Sequence, residues 1–328
     1  MAYFLVSVSN RKNLELCIKY SLAGFTSSIS GFWTFVEIRE GDYVSFLYGA
    51  RVFNLYKVVR KEALKNAEKL PPWQPITFST SGRTYYFPFR VYLKPLRKLN
   101  EPMVRPEFAY VAENLLLREG YRKTHFQADS VTLYNVSQMG ELYSEPVEEL
   151  KIDISETFSP ALTFNKSSAS PPEIFYFQEI ILQSLVRHYL SQYTKLQRFF
   201  ENLNLKDYKA EEFEVLGEKA FPEGHVDIFI KDLHPKERSR KIIVEVKRGN
   251  AKIQDLAQLK SYMDELREEC VKGILIARKF SKDVLNKLKQ LNIAAFLYSF
   301  ENLNMSYVYS FNELQEKLNI ITLEGEKV

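Results

Sequence analysis

The chain has 328 residues, 45% of them hydrophobic and 26% charged, with a formal net charge of +4. That supplies apolar material for two packed cores and excludes a disordered chain. Two distant cysteines, Cys17 and Cys270, and four histidines without ligand spacing exclude a disulfide framework and a zinc cluster.

Residues 3–8, YFLVSV, predict a strand, and 11–20, RKNLELCIKY, a short helix. GFTSSISGFW is a Gly- and Ser-rich loop that delivers Trp33. EGDYVSFLYGARVFNLYKVV predicts two strands joined around Gly49. LPPWQPITF is a Pro-broken loop carrying Trp73, and TYYFPFRVYLKP is another strand. A helix near 106–118 precedes GYRKTHFQADSVTLYNV. The opening MAYFLVSVSN has no basic n-region and no cleavage site. No run of about 18 apolar residues occurs, so the expected setting is cytoplasmic, with no membrane partner.

Residues 144–172 read as a linker, most clearly at SSASPP, with some strand-like alternation at LKIDI. FYFQEIILQSLVRHYLSQY then opens a second domain as a helix with Ile180, Ile181, Leu185, Val186 and Leu190 on one stripe. FEVLGEKAFPEGHVDIFI predicts two strands turning at PEGH, HPKERSRK a charged loop, and IIVEVK a buried strand. After a turn at Gly249 and Asn250, a helix begins near Lys252. VKGILIA is a buried parallel strand, SKDVLNKLKQLN a helix capped by Ser281, and IAAFLYSF the last long strand. The expected domains are 1–143 and 173–328. The second has the order α-β-β-β-α-β and a mixed sheet.

Glu245 and Lys247 are two apart on one strand and share a face. Asp227, on VDIFI, comes beside Glu245 if the two strands pair. Converging carboxylates repel unless a cation lies between them. Mg²⁺ suits hard oxygen ligands and retains waters, and Mn²⁺ can substitute. The lysine then orients a water or stabilises charge on a phosphate. The plain alternative is a half-exposed strand with a Glu–Lys salt bridge.

This ordered set, D-(x)n-E-x-K followed by Q-x-x-x-Y, resembles the PD-(D/E)xK nuclease superfamily in its RecB-like branch. G-H-V-D-I, I-V-E-V-K-R-G, Q-L-K-S-Y-M and V-K-G-I-L-I-A together look like the C-terminal nuclease domain of NucS-type endonucleases. The resemblance implies a restriction-endonuclease-like fold and metal-dependent cleavage of DNA. It implies Asp227 and Glu245 as metal ligands, with the Val246 carbonyl as a third. It implies Lys247 as the residue that orients the water, with Gln258 and Glu179 in support and Glu173 as the alternative to Glu179. It places Tyr262 near DNA, with Arg248 among the nucleic-acid contacts. NucS-like sequences carry Arg where this chain has His225, which leaves the role of that residue open.

The first half resembles the EVE/YTH-like members of the PUA superfamily. The matching pieces are Y-F-L-V-S, G-F-W before G-D-Y-V-S-F-L-Y, P-P-W before Y-F-P-F-R-V, and R-K-T-H-F-Q. This implies a small β-barrel, α+β overall, that flips a modified base into an aromatic pocket. Trp33 matches one wall of that pocket, and Trp73 with Tyr48 or Phe53 completes it. Ser7, Ser9 and Asn10 stand where such domains contact the base. Arg122, Lys123, His125 and Gln127 suit the adjoining backbone. Each tryptophan serves a hydrophobic core equally well, and His125 a structural hydrogen bond. Residues 1–143 carry a net +7 and the remainder −3, which suits a polyanion held by the first half.

Taken together, these features lead us to expect an α+β and α/β chain, a Mg²⁺-dependent DNA endonuclease. Its expected role is modification-dependent restriction of double-stranded DNA, with a homodimer needed for a double-strand cut. Three other readings stay open. They are a NucS-like repair nuclease for mismatched or branched DNA, an inactive binder of modified nucleic acid, and an RNA target.

Overall fold

The computed structural model describes residues 1–49, 51–77, 79, 82–99, 124–152, 156–221, 224–235 and 237–323. The helix expected near 106–118, Arg122 and Lys123 lie outside the described residues. The chain divides into two compact units. One is Met1–Leu162 with Lys166–Phe175; the other is Thr163–Asn165 with Tyr176–Val328. The stretch 144–172, expected as a linker, thus falls largely within the first unit. Its backbone is tied there: Phe158 N–H donates to Ala63 O and Lys65 N–H to Glu156 O.

The first unit is built from β1 (Tyr3–Ser7), α1 (Arg11–Lys19), β2 (Leu22–Phe25), α2 (Ile29–Glu37), β3 (Tyr43–Tyr48), β4 (Arg51–Ala63), β5 (Phe89–Lys98), β6 (His125–Ala128) and α3 (Ser130–Ser137). The sheet runs β2-β5-β4-β3-β1-β6, and a two-residue strand, Glu141–Leu142, adds to β5. The 22–37 stretch corrects an expectation. Its Gly and Ser residues read as a loop, but β2 and α2 occupy it. Ser28 ends the extended segment and caps α2, its hydroxyl accepting from Gly31 N–H at 3.2 Å. Gly31 is required for close approach rather than flexibility, since a Cβ there would lie 2.0 Å from the Thr26 carbonyl oxygen. Behind α2, Phe32 and Phe35 pack on Phe89.

The second unit contains α4 (Glu179–Leu190), α5 (Tyr193–Asn202), β7 (Phe213–Phe221), β8 (Gly224–Asp232), β9 (Lys241–Asn250), α6 (Ile253–Leu266), β10 (Cys270–Lys279), α7 (Lys282–Gln290), β11 (Ile293–Phe300), α8 (Phe311–Lys317) and β12 (Leu318–Thr322). The sheet order follows the chain, β7 through β12. β7, β8 and β9 pair antiparallel, β9, β10 and β11 parallel, and β12 returns antiparallel on β11. The sheet is therefore mixed, as the apolar runs IIVEV and GILIA predict. The short edge strand β12 was not expected from the sequence. On one face, Ile243, Leu275, Leu259, Tyr262 and Met263 form a continuous core. Gly273 permits that packing, because a Cβ there would meet the Met263 sulfur at 2.4 Å. No helix among the described residues is long and apolar enough to cross a membrane.

Candidate active site

The site begins where a ladder ends. β8 and β9 pair antiparallel from Lys231 opposite Lys241 to Ile228 opposite Val244. One step further, the register sets Asp227 against Glu245. Val246 N–H has no strand partner on that side and donates to Asp227 Oδ2 at 2.8 Å. In an extended strand the N–H and C=O of one residue point the same way, so the Val246 carbonyl also faces Asp227. On the other side of β9, Glu245, Val246 and Lys247 are held in register with Leu275, Ile276 and Ala277 of β10.

α4 supplies two more side chains from one face, four residues apart. Gln183 Nε2 donates to Asp227 Oδ1 at 2.7 Å. Glu179 Oε2 accepts from Arg248 N–H at 2.8 Å, and its other oxygen lies 3.8 Å from the Lys247 ammonium. Gln183 was not singled out in the sequence. The helical stripe was read for its apolar side, and Gln183 sits on the polar side, where periodicity carries no signal.

Asp227 and Glu245 are both buried, at 9% and 2% exposure. Burial raises the Asp227 carboxyl well above the ordinary carboxylate range, and the neighbouring Glu245 charge adds to this. Burial also raises Glu245, while Lys247 opposes the shift. Lys247 Nζ donates to Glu245 Oε1 at 2.8 Å. Burial works to lower the Lys247 ammonium, but Glu245, Asp227 and Glu179 together hold its pKa above the usual value. The carboxylates around Lys247 therefore favour its charged form.

Glu245 Oε2 is buried and finds no hydrogen-bond donor among the described residues. A carboxylate oxygen left in this state is costly unless a cation meets it. That orphaned oxygen, the adjacent Asp227 carboxylate and the Val246 carbonyl are all hard oxygen donors. They fit Mg²⁺ or Mn²⁺. Among the described residues no three His, Cys, Asp or Glu side chains gather around one such point. A cation here would have two carboxylates, one backbone carbonyl and water to bind it.

The remaining expected residues divide. Gln258 Nε2 donates to Tyr262 Oη at 2.8 Å, at the edge of the site. Tyr262 is fully buried in the core, contrary to the expected DNA contact. Its hydroxyl lies against Gly224, where a Cβ would come within 2.4 Å and where φ is +152°. Tyr262 is thus a wall of the site rather than a surface residue. Arg248 is also engaged within its own unit rather than held out for a ligand. Its Nη1 donates to Phe177 O at 2.5 Å, and its guanidinium stands 5.1 Å from the Tyr176 ring. Both atoms it uses hold the N-terminus of α4, and hence Glu179, against β9. His225 is half-buried on β8, two residues before Asp227. Glu173 falls in the first unit, apart from Glu179 in the second.

In the first unit, Trp33 is 4% exposed and its ring lies 4.3 Å from that of His125. His125 is buried too, its Nδ1 2.8 Å from Thr34 Oγ1. Ser7 N–H donates to Thr124 O beside them, and Gln127 pairs opposite Phe4. Trp73 is 4% exposed and packs at the other end of the sheet order, on Gly24 of β2 and against Phe87. Burial pushes the Cys17 thiol up to about 12, partly offset by a hydrogen bond with Trp73. Tyr48 and Phe53 flank the β3–β4 turn, both half-buried. Asn10 caps α1 by accepting from Asn13 N–H at 2.8 Å, and Ser9 is exposed. Trp33 and Trp73 thus sit in two separate settings, each packed into its own core.

Residues 208–299 match the family described as the endonuclease NucS C-terminal domain. Endonuclease NucS of Methanocaldococcus jannaschii is 30% identical over 154 residues, which cover 45% of this chain and 50% of that protein. The chain therefore spans about half the length of the curated relative it matches. Solved structures with local likeness include a repair endonuclease from Pyrococcus abyssi, at 24% identity over 30% of this chain and 43% of that one, with a TM-score of 0.23. The DNA modification-dependent restriction endonuclease AspBHI aligns at 11% identity over 95% of this chain and 70% of that one, with a TM-score of 0.21. The segment that carries Asp227, Glu245, Lys247, Gln258 and Tyr262 is thus the segment similar to the NucS C-terminal domain.

Proposed function

We propose that this protein is a divalent-metal-dependent DNA endonuclease whose second unit hydrolyses phosphodiesters and whose first unit selects the DNA, by a modified base. The carrying observation is the buried, donorless Glu245 Oε2 beside Asp227 and the Lys247 cation. The similarity of residues 208–299 to an endonuclease domain supports it.

In this reading Asp227, Glu245 and the Val246 carbonyl hold Mg²⁺. Bound there, the ion supplies Lewis acidity and makes a coordinated water a better nucleophile. Lys247 orients the attacking water and stabilises negative charge that develops on the phosphate. Glu179 keeps Lys247 turned toward the site. Gln183 and Val246 N–H grip both oxygens of Asp227 and stop its carboxylate from rotating. Gln258, locked to Tyr262, closes the side next to α6. For the first unit, the reading takes Trp33 as the central member of the base site, supported by its contact with His125, which Thr34 holds; both rings are buried, so a base would need them to open. Trp73, Tyr48, Phe53, Ser9 and Asn10 are weaker members.

Replacing Gln183 with Leu leaves Asp227 with one donor. Supporting residues of this kind typically cost 10- to 100-fold in metal affinity, so the Mg²⁺ concentration at half-maximal rate should rise about tenfold. The rate at saturating Mg²⁺ should recover most of the wild-type value. A titration of cleavage against Mg²⁺ measures both.

The whole proposal is tested by one duplex in four forms with Mg²⁺: unmodified, adenine-methylated, cytosine-methylated and mismatched. Cleavage confined to a methylated form is expected. Cleavage confined to the mismatched form would favour the second reading, a repair nuclease, for which the 30% identity to endonuclease NucS is the supporting observation. Binding without cleavage of any form would move the protein to the binding class.

A further inference from the structure

The face of the first sheet formed by β4 and β5 collects more cations than acids among the described residues. Register sets Lys57 directly opposite Lys94, Arg60 opposite Tyr92 and Glu62 opposite Arg90. Arg90, Tyr92 and Lys94 alternate along β5 and so share one face. The contacts agree with that placement. The Arg60 guanidinium stacks 4.1 Å over the Tyr92 ring and reaches Glu62 at 3.0 Å. Four cations in three successive rows thus meet one acid.

The open end of the stripe is Lys57 and Lys94. Like charges directly opposite each other on a sheet are destabilising. Among the described residues neither lysine meets an acidic side chain, and Lys94 is exposed. Tyr43 of β3 extends the same row beyond Lys57. At the closed end, Arg90 is fully buried, 5.7 Å from the Trp73 ring, and its Nε and Nη1 meet no hydrogen-bond partner among the described residues. Burial draws its pKa down, but an arginine remains charged. Arg90 contacts no external ligand, yet it adds positive potential beneath the stripe. A fold that tolerates both an opposed lysine pair and a buried, only partly hydrogen-bonded guanidinium on one face gains from an anion laid over it.

We propose that this face holds the phosphate backbone of DNA, with Lys57 and Lys94 as its phosphate contacts and the Arg60–Tyr92 stack as the flanking row. The inference rests on the reading above only in taking DNA as the partner. Aromatic and cationic side chains interleaved along a strand suit a sugar–phosphate backbone and carry no base code. The surface therefore orients DNA on the first unit and leaves base selection to other residues.

The test is binding of a labelled duplex to the full chain without added metal, measured across a range of salt concentrations. Each phosphate contact contributes about 0.9 to the slope of log K against log salt. The Lys57→Ala/Lys94→Ala protein should show a slope shallower by about 1.8 and, near 0.1 M salt, affinity lower by more than about tenfold. Its thermal midpoint should equal or exceed that of the wild type, since an opposed like-charge pair is gone. An unchanged slope, with the wild type binding duplex normally, overturns the inference. A wild type that binds no DNA overturns both this inference and the proposed function. A wild type that binds DNA with the expected slope change, yet never cleaves, supports this surface and removes the nuclease reading alone.

Discussion

The Glu245→Gln protein is expected to lose cleavage by about 10³-fold or more at saturating Mg²⁺ while remaining folded. The substitution keeps the shape of the side chain and leaves an oxygen for the Lys247 donor. It removes the negative charge from a buried oxygen that meets no donor among the described residues. Asp227 then has no second carboxylate beside it, and a divalent cation loses half of its charged ligands. Single-turnover cleavage, together with thermal denaturation, measures the effect. A protein that cuts at the wild-type rate with an unchanged thermal midpoint would remove Glu245 from the metal site. The Asp227→Asn protein should lose activity comparably. The two effects should not add in the double variant, because neither ligand acts without the other.

The Gly31→Ala protein is expected to lose about 3 kcal/mol of stability in the first unit, the upper end of the range for overpacking a tight site. The added Cβ would lie 2.0 Å from the Thr26 carbonyl oxygen and 2.7 Å from the Thr26 nitrogen. Both are backbone atoms, so no side chain can turn away to make room. The first turn of α2 must lift, which pulls Ser28 off its cap and carries Trp33 and Thr34 away from His125. A drop of about 6–10 °C in the midpoint of that unit is the expected scale. Calorimetry or tryptophan fluorescence would detect it. A midpoint within about 1 °C of the wild type would mean that α2 shifts freely and that Trp33 is not held as described. Metal-dependent cleavage of unmodified DNA by the second unit, where it occurs, should be less affected than selection by the first.

How far the sequence alone carries depends on the range of the forces involved. Alternation in IIVEVK set Glu245 and Lys247 on one face, because side chains in a strand have a period of two whatever the strand pairs with. The i,i+4 spacing of Gln258 and Tyr262 likewise put them on one helix face, where the structure joins them by a hydrogen bond. The mixed order of the second sheet followed from continuous apolar runs, which are buried on both faces. The β2 and α2 segments were missed for the opposite reason. Gly and Ser are local signals for turns, and only the packing of α2 on Phe89 turned Gly31 into a point of close approach.

For the site, the sequence by itself determined which residue types were present and which pairs shared a strand or helix face. Asp227, Glu245, Lys247 and the Gln258–Tyr262 pair were named from it directly. Tertiary structure alone decided the rest. The point at which the β8–β9 ladder stops exposes Val246 N–H to Asp227, and no local pattern announces the end of a ladder. The docking of α4 on the sheet brought Gln183 to Asp227, 44 residues away in the chain. It also engaged Arg248 in holding that helix. The nuclease resemblance implied that Tyr262 lies near DNA, whereas its side chain is buried in the core that includes Leu259, Met263 and Ile243. The opposition of Lys57 and Lys94 is another such case, since a register between strands 37 residues apart is set by the whole sheet. Local periodicity is a property of a few consecutive residues, whereas burial, register and charge balance depend on what other segments bring. The residue types of the candidate site were therefore legible in the sequence, and the arrangement that brings them together was not.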